Sequence, residues 1–241
     1  MSIPHATAIV LQARMGSRRL RGKSLAPLSG RTVLGQCIVR LARSGVPLIV
    51  ATTREVEDDE IVSTARRWGA NVFRGSTLDV LDRYIAVGRS YGLARIVRAT
   101  ADNPAVDIDA PLRVLETLER TGADHVVECG MPIGGAVEAV TLEALVRAQA
   151  LVKSDEDREH VTTLVRREPQ FRAVRALCPG HVRRPKLRLT VDTPDDLRFM
   201  RAVYAAFETH AIPTLPEILD AADDLAEDES TETMNATGER Q

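Results

Sequence analysis

Residues 7–23, TAIVLQARMGSRRLRGK, join an apolar run to a turn rich in glycine, serine and cationic side chains. The apolar run predicts a buried strand, and the small residues after it let backbone N–H groups approach an anion. Guanidinium groups add paired hydrogen bonds to phosphate oxygens, and an ammonium group adds a compact positive charge. The sequence therefore predicts a triphosphate-binding turn with the cations Arg14, Arg18, Arg19, Arg21 and Lys23.

Positive charge is concentrated at the amino end of the chain. Nine Lys and Arg residues precede Glu55, the first acidic residue, although the formal net charge of all 241 residues is only -2. A protein that binds nucleic acid is expected to spread its cations over a whole face, so this pattern favours one phosphorylated small molecule. Lysine occurs only as Lys23, Lys153 and Lys186, which makes the lysine in the turn a candidate functional residue.

Length and composition are typical of one globular unit. With 44% hydrophobic and 27% charged residues, the chain can bury one substantial core. Cys37, Cys129 and Cys178 share no short spacing with one another or with histidine, so neither disulfides nor a zinc site is indicated. No apolar stretch approaches the roughly 18 residues that cross a bilayer. We therefore expect a cytoplasmic protein that binds neither membrane nor nucleic acid.

Short β-branched runs alternate with helical patterns in the first half of the chain. Strands are predicted at 8–12, 47–52, 71–73, 95–100 and 124–128. Helices are predicted at 32–45 and 57–69, and each of them ends at a glycine. This alternation predicts an α/β fold with a mainly parallel sheet covered on both faces. Ligands of such sheets bind at the carboxyl ends of the strands, where the basic turn lies.

The second half of the chain has a less regular pattern. Helices are predicted at 141–152, 157–168 and 195–208, and strands near 171–178 and 187–191. Residues beyond 222 are acidic, contain no aromatic side chain and lose periodicity. The sequence therefore predicts a single domain over residues 1–222 and a disordered acidic tail over residues 223–241.

Two further segments each place an aspartate at the end of a predicted strand. RATADNPAVD (98–107) carries Asp102 and RLTVDTPDDL (188–197) carries Asp192, each followed two residues later by proline. Mg²⁺ needs only one or two protein carboxylates when phosphate oxygens and water complete its octahedral shell. The alternative is that both aspartates cap turns or helices. Their combination with a phosphate-binding turn favours a metal site.

These segments resemble the cytidylyltransferases related to acylneuraminate cytidylyltransferase and to the spore coat polysaccharide biosynthesis protein F. LQARMGSRRLRGKSL (11–25) is similar to that family's opening signature, and VATTREVEDDEI (50–61), VFRGSTLDVLDRY (72–84) and REHVT (158–162) resemble later segments in the same order. Similarity over about residues 6–205 is far more specific than a lone glycine motif. The resemblance implies a Rossmann-like, three-layer nucleotide-diphospho-sugar transferase fold of the GT-A-like type. It also implies a homodimer formed by a small arm within about 129–178.

The resemblance further implies an enzyme of the nucleotidyltransferase class that transfers CMP from CTP to a small acidic acceptor. The acceptor would be a nonulosonic acid-like sugar or a related compound, pyrophosphate would be released, and Mg²⁺ would be the cofactor. Catalytic roles would fall to Lys23, Arg19 and Arg14, and metal binding to Asp102 and Asp192. The nucleotide would contact Gln12, Ala13, Arg14, Gly16, Ser17, Lys23, Thr52, Thr53, Arg74, Ser76, Asp79, Thr100 and Ala101. The acceptor would contact Arg21, Glu138, Arg158 and His160.

The chain departs from the family pattern at several positions, and these departures leave alternatives open. Ala136 stands where an aspartate is usual, Ala101 replaces glycine, and Arg21 replaces proline. The positive charge that Arg21 adds favours a more anionic or unusual acceptor. One alternative is a nucleotidyltransferase that uses another nucleoside triphosphate, or a glycosyltransferase of the same fold. Another is a nucleotide-binding subunit without turnover. Individual residues also have structural alternatives: a hydrogen-bonding role for His160, a helix-start ion pair for Arg74 and Asp79, and ordinary core for the apolar stretch 131–150.

Overall fold

The computed structural model describes residues 6–17 and 19–238, with side chains as far as residue 226. Arg18, a predicted member of the basic turn, lies outside the described residues, as do residues 239–241 of the predicted tail. Within these ranges, no helix combines the length and the apolar character that a membrane span requires.

Strands and helices alternate through the first half of the chain. In chain order they are β1 (Thr7–Gln12), β2 (Pro27–Leu28), β3 (Arg31–Thr32), α1 (Val33–Ala42), β4 (Leu48–Thr53), α2 (Asp59–Arg67), β5 (Asn71–Gly75), α3 (Val80–Ser90), β6 (Arg95–Thr100) and α4 (Ala110–Thr121). The second half contributes β7 (His125–Cys129), β8 (Glu138–Thr141), α5 (Leu142–Gln149), α6 (Asp155–Glu159), α7 (Thr163–Arg167), β9 (Ala173–Leu177), α8 (Pro194–Ala205) and α9 (Leu215–Gly238). Single 3-10 turns lie at Lys23–Leu25, Val56–Asp58 and Gly180–Val182.

The described strands form a seven-stranded sheet in the order β5-β4-β1-β6-β8-β7-β9, and β2 and β3 form a separate hairpin. Strands β5, β4, β1 and β6 run parallel, whereas β8 lies antiparallel between β6 and β7. Strand β9 pairs in parallel with β7 at one edge. The predicted mainly parallel sheet is confirmed, and β1 lies within its parallel part.

Apolar layers cover both faces of the sheet because successive residues of a strand point to opposite sides. Ile9 and Leu11 of β1 pack with side chains of α1, α2 and α4, while Ala8 and Val10 pack with α3 and α5. All four side chains are at most 1% exposed. Full burial of a leucine or isoleucine contributes about 1.5–3 kcal/mol, so this three-layer packing is the main source of stability.

The structure differs from the sequence prediction in two places. Residues 187–191, predicted as a strand, make a single bridge from Arg188 to Ile133 and do not join the sheet. The helix predicted at 157–168 is divided into α6 and α7, because Val161 adopts a left-handed φ of 58°. This costly conformation for a β-branched residue is held by burial of Val161 and Thr162.

Helix α9 occupies much of the segment that the sequence predicts to be disordered. Leu215, Ile218 and Leu219 are at most 1% exposed and pack in the same apolar cluster as residues of α8. Alanine, leucine and glutamate after residue 219 favour helix, so a packed first turn can propagate through them. The structure therefore has helix as far as Gly238, where the sequence predicts none from residue 223.

The range 129–178, predicted to contain a dimerisation arm, contributes two strands to the main sheet. Strand β8 lies in its interior and β9 forms its edge. In the stretch 131–150, for which arm and core were alternatives, Ala139, Val140, Ala144 and Leu145 are fully buried. Much of this stretch is therefore ordinary core.

Candidate functional site

A cleft of about 800 Å³ opens where β1 and β6 end. Gln12 of β1 pairs in register with Thr100 of β6, so the loops that follow the two strands leave the sheet side by side. Gln12 and Ala13 line the cleft from the first loop, and Thr100 and Ala101 line it from the second. The site therefore lies where ligands bind in parallel α/β sheets.

Lys23 lies between Asp102 and Asp192 on one wall of the cleft. Its Nζ donates to Asp102 Oδ2 and to Asp192 Oδ1, and both distances are 2.8 Å. The three side chains are 12%, 25% and 14% exposed, so the charges interact with little screening by solvent. The structure thus brings together three residues that the sequence separates by up to 169 positions.

Asp192 is surrounded by further cations. Arg19 lies 2.9 Å from its Oδ1, and Arg188 lies 2.6 Å from its Oδ2. Burial acts to raise the pKa of Asp192, but the hydrogen bond and charge of Lys23, followed by those of Arg188 and Arg19, hold it below its ordinary value. Asp196 accepts the backbone N–H of Asp192 at 2.9 Å, which fixes the segment that carries the carboxylate. Asp192 is therefore a rigidly held anion at neutral pH.

The basic turn after β1 forms the adjoining wall. Arg14, Gly16, Ser17 and Arg19 line the cleft. The turn is closed by Gly22, whose positive φ of 72° suits glycine, and by a hydrogen bond from its N–H to the Met15 carbonyl. Of the cations predicted in this turn, Arg14, Arg19 and Lys23 therefore line one cleft, and Arg21 does not.

A further wall comes from the start of α3 and from α6. Asp79 caps α3 by accepting the N–H of Asp82, and its second oxygen lies 2.5 Å from Nη1 of Arg158. Glu159 pairs with Arg14 at 2.8 Å, which connects α6 to the basic turn. Asp79, Arg158 and His160 all line the cleft.

Four residues predicted on the nucleoside side do not line the cleft. Thr52 and Thr53 are 0% and 2% exposed, and their hydroxyl groups donate to Asp58. Arg74 donates to the carbonyls of Thr53 and Glu55 and pairs with Asp59, so it forms no ion pair with Asp79. The Ser76 hydroxyl accepts the N–H of Asp79 at 3.1 Å. These residues support the walls of the cleft.

Two residues predicted to contact the acceptor also lie away from the cleft. Arg21 is 79% exposed and pairs with Glu57 at 3.1 Å. Glu138 is almost buried in β8, where it accepts the Thr162 hydroxyl at 2.8 Å and Nη1 of Arg98 at 3.3 Å. Arg98 itself lines the cleft, so Glu138 orients a wall residue and does not face the ligand space.

The Glu138 carboxylate is stabilised as an anion by its cationic neighbours. Burial acts to raise the pKa of Glu138, but the imidazole of His125 and the charges on Arg98 and Arg166 hold it well below its ordinary value. The His125 ring nitrogen lies 3.8 Å from the carboxylate, beyond direct hydrogen-bond distance. Arg98 was not identified from the sequence. The available signal was a cation at a position within an otherwise apolar strand.

The oxygen donors of the cleft fit a magnesium ion bound together with phosphate. Among the described residues, no three His, Cys, Asp or Glu side chains are grouped as a metal site. Asp102 and Asp192 nevertheless contact one and the same cation, Lys23, so their carboxylates converge on a single point. Two carboxylates suffice for Mg²⁺ when phosphate oxygens and water complete its coordination shell.

Comparison with known proteins identifies the family. The chain is 35% identical over 205 residues to the spore coat polysaccharide biosynthesis protein SpsF of Bacillus subtilis, covering 81% of this chain and 85% of that protein. It is 26% identical over 245 residues to the 3-deoxy-manno-octulosonate cytidylyltransferase of a Chelativorans species, covering 90% and 93%. The structure of a cytidylyltransferase from Leptospira borgpetersenii superposes with a TM-score of 0.83 at 27% identity, covering 92% of this chain and 95% of that one. The cytidylyltransferase family model matches residues 8–228, so the resemblance inferred from the sequence is confirmed and the chain belongs to the cytidylyltransferase family of nucleotidyltransferases.

Proposed function

We propose that this cytidylyltransferase joins CMP to an acidic sugar of the nonulosonic type or a related acid, with Mg²⁺ as its cofactor. The observation that carries the proposal is the position of Lys23 between Asp102 and Asp192, at the edge of the basic turn. This arrangement combines phosphate-binding cations with a pair of carboxylates in one cleft. Such a combination suits a metal-bound triphosphate.

The reaction is an in-line displacement at the α-phosphorus of CTP. The oxygen of an acceptor hydroxyl forms a bond to this phosphorus and gives up its proton to solvent, while the bond to the bridging oxygen breaks and its electron pair leaves with pyrophosphate. Negative charge grows on the leaving group, close to the cationic side chains of Arg14, Arg19 and Lys23. Loss of one preorganised electrostatic donor of this kind costs about 3–4 kcal/mol in the transition state. Asp102 and Asp192 would hold Mg²⁺, which neutralises phosphate charge when it is bound.

The acceptor is proposed to bind between α6 and β6. Arg158, His160 and Arg98 line the cleft, and the two arginines carry a positive charge at neutral pH. A guanidinium group binds a carboxylate with two parallel hydrogen bonds, which favours an acidic sugar over a neutral one. The name of the Chelativorans relative, which specifies an acidic sugar, supports the same class of acceptor.

The homodimer and the cytoplasmic location remain predictions from the sequence. At the edge of the sheet, β9 has exposed alternate residues, and Leu177 is 66% exposed. An edge strand of this kind can pair with a second chain. Sedimentation equilibrium of the purified protein measures the mass in solution, and a monomer at all concentrations would contradict the homodimer.

A substrate screen tests the proposed reaction. The purified protein is incubated with Mg²⁺, one of CTP, UTP, GTP or ATP, and a panel of nonulosonic acids and other acidic sugars. We expect pyrophosphate release with CTP and an acceptor whose mass increases by one CMP group. Asp102→Asn should lack this activity, whereas Asp220→Asn, which removes an exposed carboxylate on α9, should retain it. Absence of a CMP adduct across the panel would contradict the proposed acceptor class.

A further inference from the structure

Asp58 is a buried carboxylate that belongs to none of the predicted site residues. It is 2% exposed and ends the 3-10 turn Val56–Asp58, directly before α2. Although Asp58 stands at the N-cap position of α2, its side chain accepts no hydrogen bond from the helix. An aspartate at this position normally caps the helix by accepting a backbone N–H of its first turn. The carboxylate is therefore used for another contact.

Four hydrogen bonds connect Asp58 to the basic turn and to the end of β4. Its Oδ1 accepts the backbone N–H of Met15 at 2.8 Å. Its Oδ2 accepts the N–H of Thr53 at 3.0 Å and the hydroxyl groups of Thr52 and Thr53 at 2.8 and 2.5 Å. Burial acts to raise the pKa of Asp58, but the bonds from Thr53, Met15 and Thr52 outweigh it and hold the pKa below its ordinary value. Asp58 is therefore an anion held by neutral donors.

Met15 connects Asp58 to the cleft, because its backbone N–H donates to the Asp58 carboxylate. It lies between Arg14 and Gly16, both of which line the cleft. While its N–H is bound by Asp58, its carbonyl accepts the N–H of Ser17 at 2.8 Å and that of Gly22 at 3.4 Å. Both backbone groups of Met15 are thus engaged, and they fix the basic turn relative to β4. The orientation of the cationic side chains and backbone N–H groups of the basic turn therefore depends on the hydrogen bonds of Met15.

We propose that Asp58 is a positioning residue for the phosphates of the nucleotide. It acts through Met15 and holds the basic turn in the conformation that binds the triphosphate. The inference rests on the proposed function, because it assumes that the turn binds CTP. Displacement of a binding group by about 1 Å can reduce catalysis by about a hundredfold, so a small shift of the turn is sufficient to be measured.

Asp58→Asn tests this role with almost no change of shape. Whichever way the new amide turns, its NH₂ group meets a backbone N–H, that of Met15 or that of Thr53, and neither can rotate to become an acceptor. We expect CTP affinity in the presence of Mn²⁺ to fall at least tenfold by calorimetry, and hydrogen exchange to rise in residues 13–24. Glu60→Gln is the matched control, since it removes an exposed charge two residues away on α2. It should leave both quantities unchanged.

The outcomes separate the role of Asp58 from the proposed function. One outcome is that the wild-type protein binds CTP, and that Asp58→Asn has a CTP affinity within twofold of it but a lower free energy of unfolding. Asp58 would then have only a structural role, and the inference would be overturned. If the wild-type protein does not bind CTP, the proposed function is contradicted, and so is the positioning role of Asp58.

Should Asp58→Asn not fold, Thr52→Val decides the question. Thr52 is fully buried and does not line the cleft, so its hydroxyl can affect nucleotide binding only through its hydrogen bond to Asp58. Valine keeps the size and the β-branch of the side chain. We expect CTP affinity to fall at least threefold in this variant. Unchanged CTP affinity in folded Thr52→Val would overturn the positioning role.

Discussion

Replacement of Lys23 by methionine separates two effects of its ammonium group, stabilisation of the free protein and competition with a divalent metal. Lys23→Met keeps an unbranched side chain but leaves Asp102 and Asp192 without the cation that contacts both. Each lost bond joins two charged groups at 2.8 Å. A hydrogen bond to a charged group contributes about 1.5–3 kcal/mol, and breaking a fully buried ion pair costs about 3–5 kcal/mol.

Partial exposure and the remaining cations reduce this cost. Asp102 is 25% exposed, so water can replace part of its lost interaction. Asp192 retains Arg19 at 2.9 Å and Arg188 at 2.6 Å. We therefore expect Lys23→Met to lower the free energy of unfolding by about 2–4 kcal/mol. Urea denaturation measures this quantity, and the midpoint should fall without a change in the m-value. Lys153→Met, at an exposed lysine, is the control and should change stability by no more than about 0.5 kcal/mol.

The same variant should bind divalent metal more tightly. In the free protein the ammonium group lies between the two carboxylates that are proposed to hold Mg²⁺, so metal binding must displace it. Without this competition we expect Mn²⁺ to bind free Lys23→Met about tenfold more tightly, measured from the spectrum of free Mn²⁺ by electron paramagnetic resonance. Turnover should nevertheless be lost, because the cation that faces the phosphates is missing. Weaker Mn²⁺ binding in a folded Lys23→Met protein would refute the idea that lysine and metal share one position.

Four further substitutions test the surroundings of the site. Glu138 has a lower pKa in the folded than in the unfolded chain, so the stability that its charge contributes is complete above about pH 5 and is lost only as the pH falls through the lowered pKa of the folded state. Glu138→Gln should lower the free energy of unfolding by about 2–4 kcal/mol at pH 7, by nearly as much at about pH 4 and by clearly less at about pH 2.5, measured by urea unfolding at the three values. Gly134→Ala should lose more than about 1 kcal/mol in the same assay, because Gly134 has a φ of +96° and a Cβ there would lie 2.8 Å from the backbone N of Thr190. Arg21→Ala should leave the acceptor KM within about twofold since its side chain is 79% exposed, whereas Arg158→Ala, in the cleft wall, should raise it about tenfold, and equal values in steady-state kinetics would contradict this division.

Local patterns were sufficient to predict the parallel half of the sheet. Strands β1, β4, β5 and β6 were predicted because each is a short apolar run bounded by glycine or polar residues. Parallel strands deliver the loops that follow them to one edge, so the basic turn and Asp102 were expected to lie close together. The structure agrees, because both ends of β1 and β6 are in register.

Contacts between distant residues explain what the sequence could not show. Strand β8 follows two glycines and has no neighbour in sequence that would indicate its position between β6 and β7. The break at Val161 depends on Thr162, which is drawn inward by Glu138. Motif similarity located Thr52 and Thr53 near the site, but β4 is buried on both faces. The pattern of a doubly buried strand does not distinguish a residue that faces a ligand from one that supports a loop.

The meeting of Asp102 and Asp192 depends on a segment that the sheet does not include. The N–H of Val191 donates to the Asp102 carbonyl at 2.7 Å, and the N–H of Leu189 donates to the Ile133 carbonyl at 2.8 Å. Leu189 and Val191 are fully buried against α8 and α9. The irregular segment 187–192 is therefore held by backbone bonds to two loops and by apolar packing to two helices. Because the loop after β6 supplies one carboxylate and also binds the backbone beside the other, a shift of either loop moves both carboxylates together.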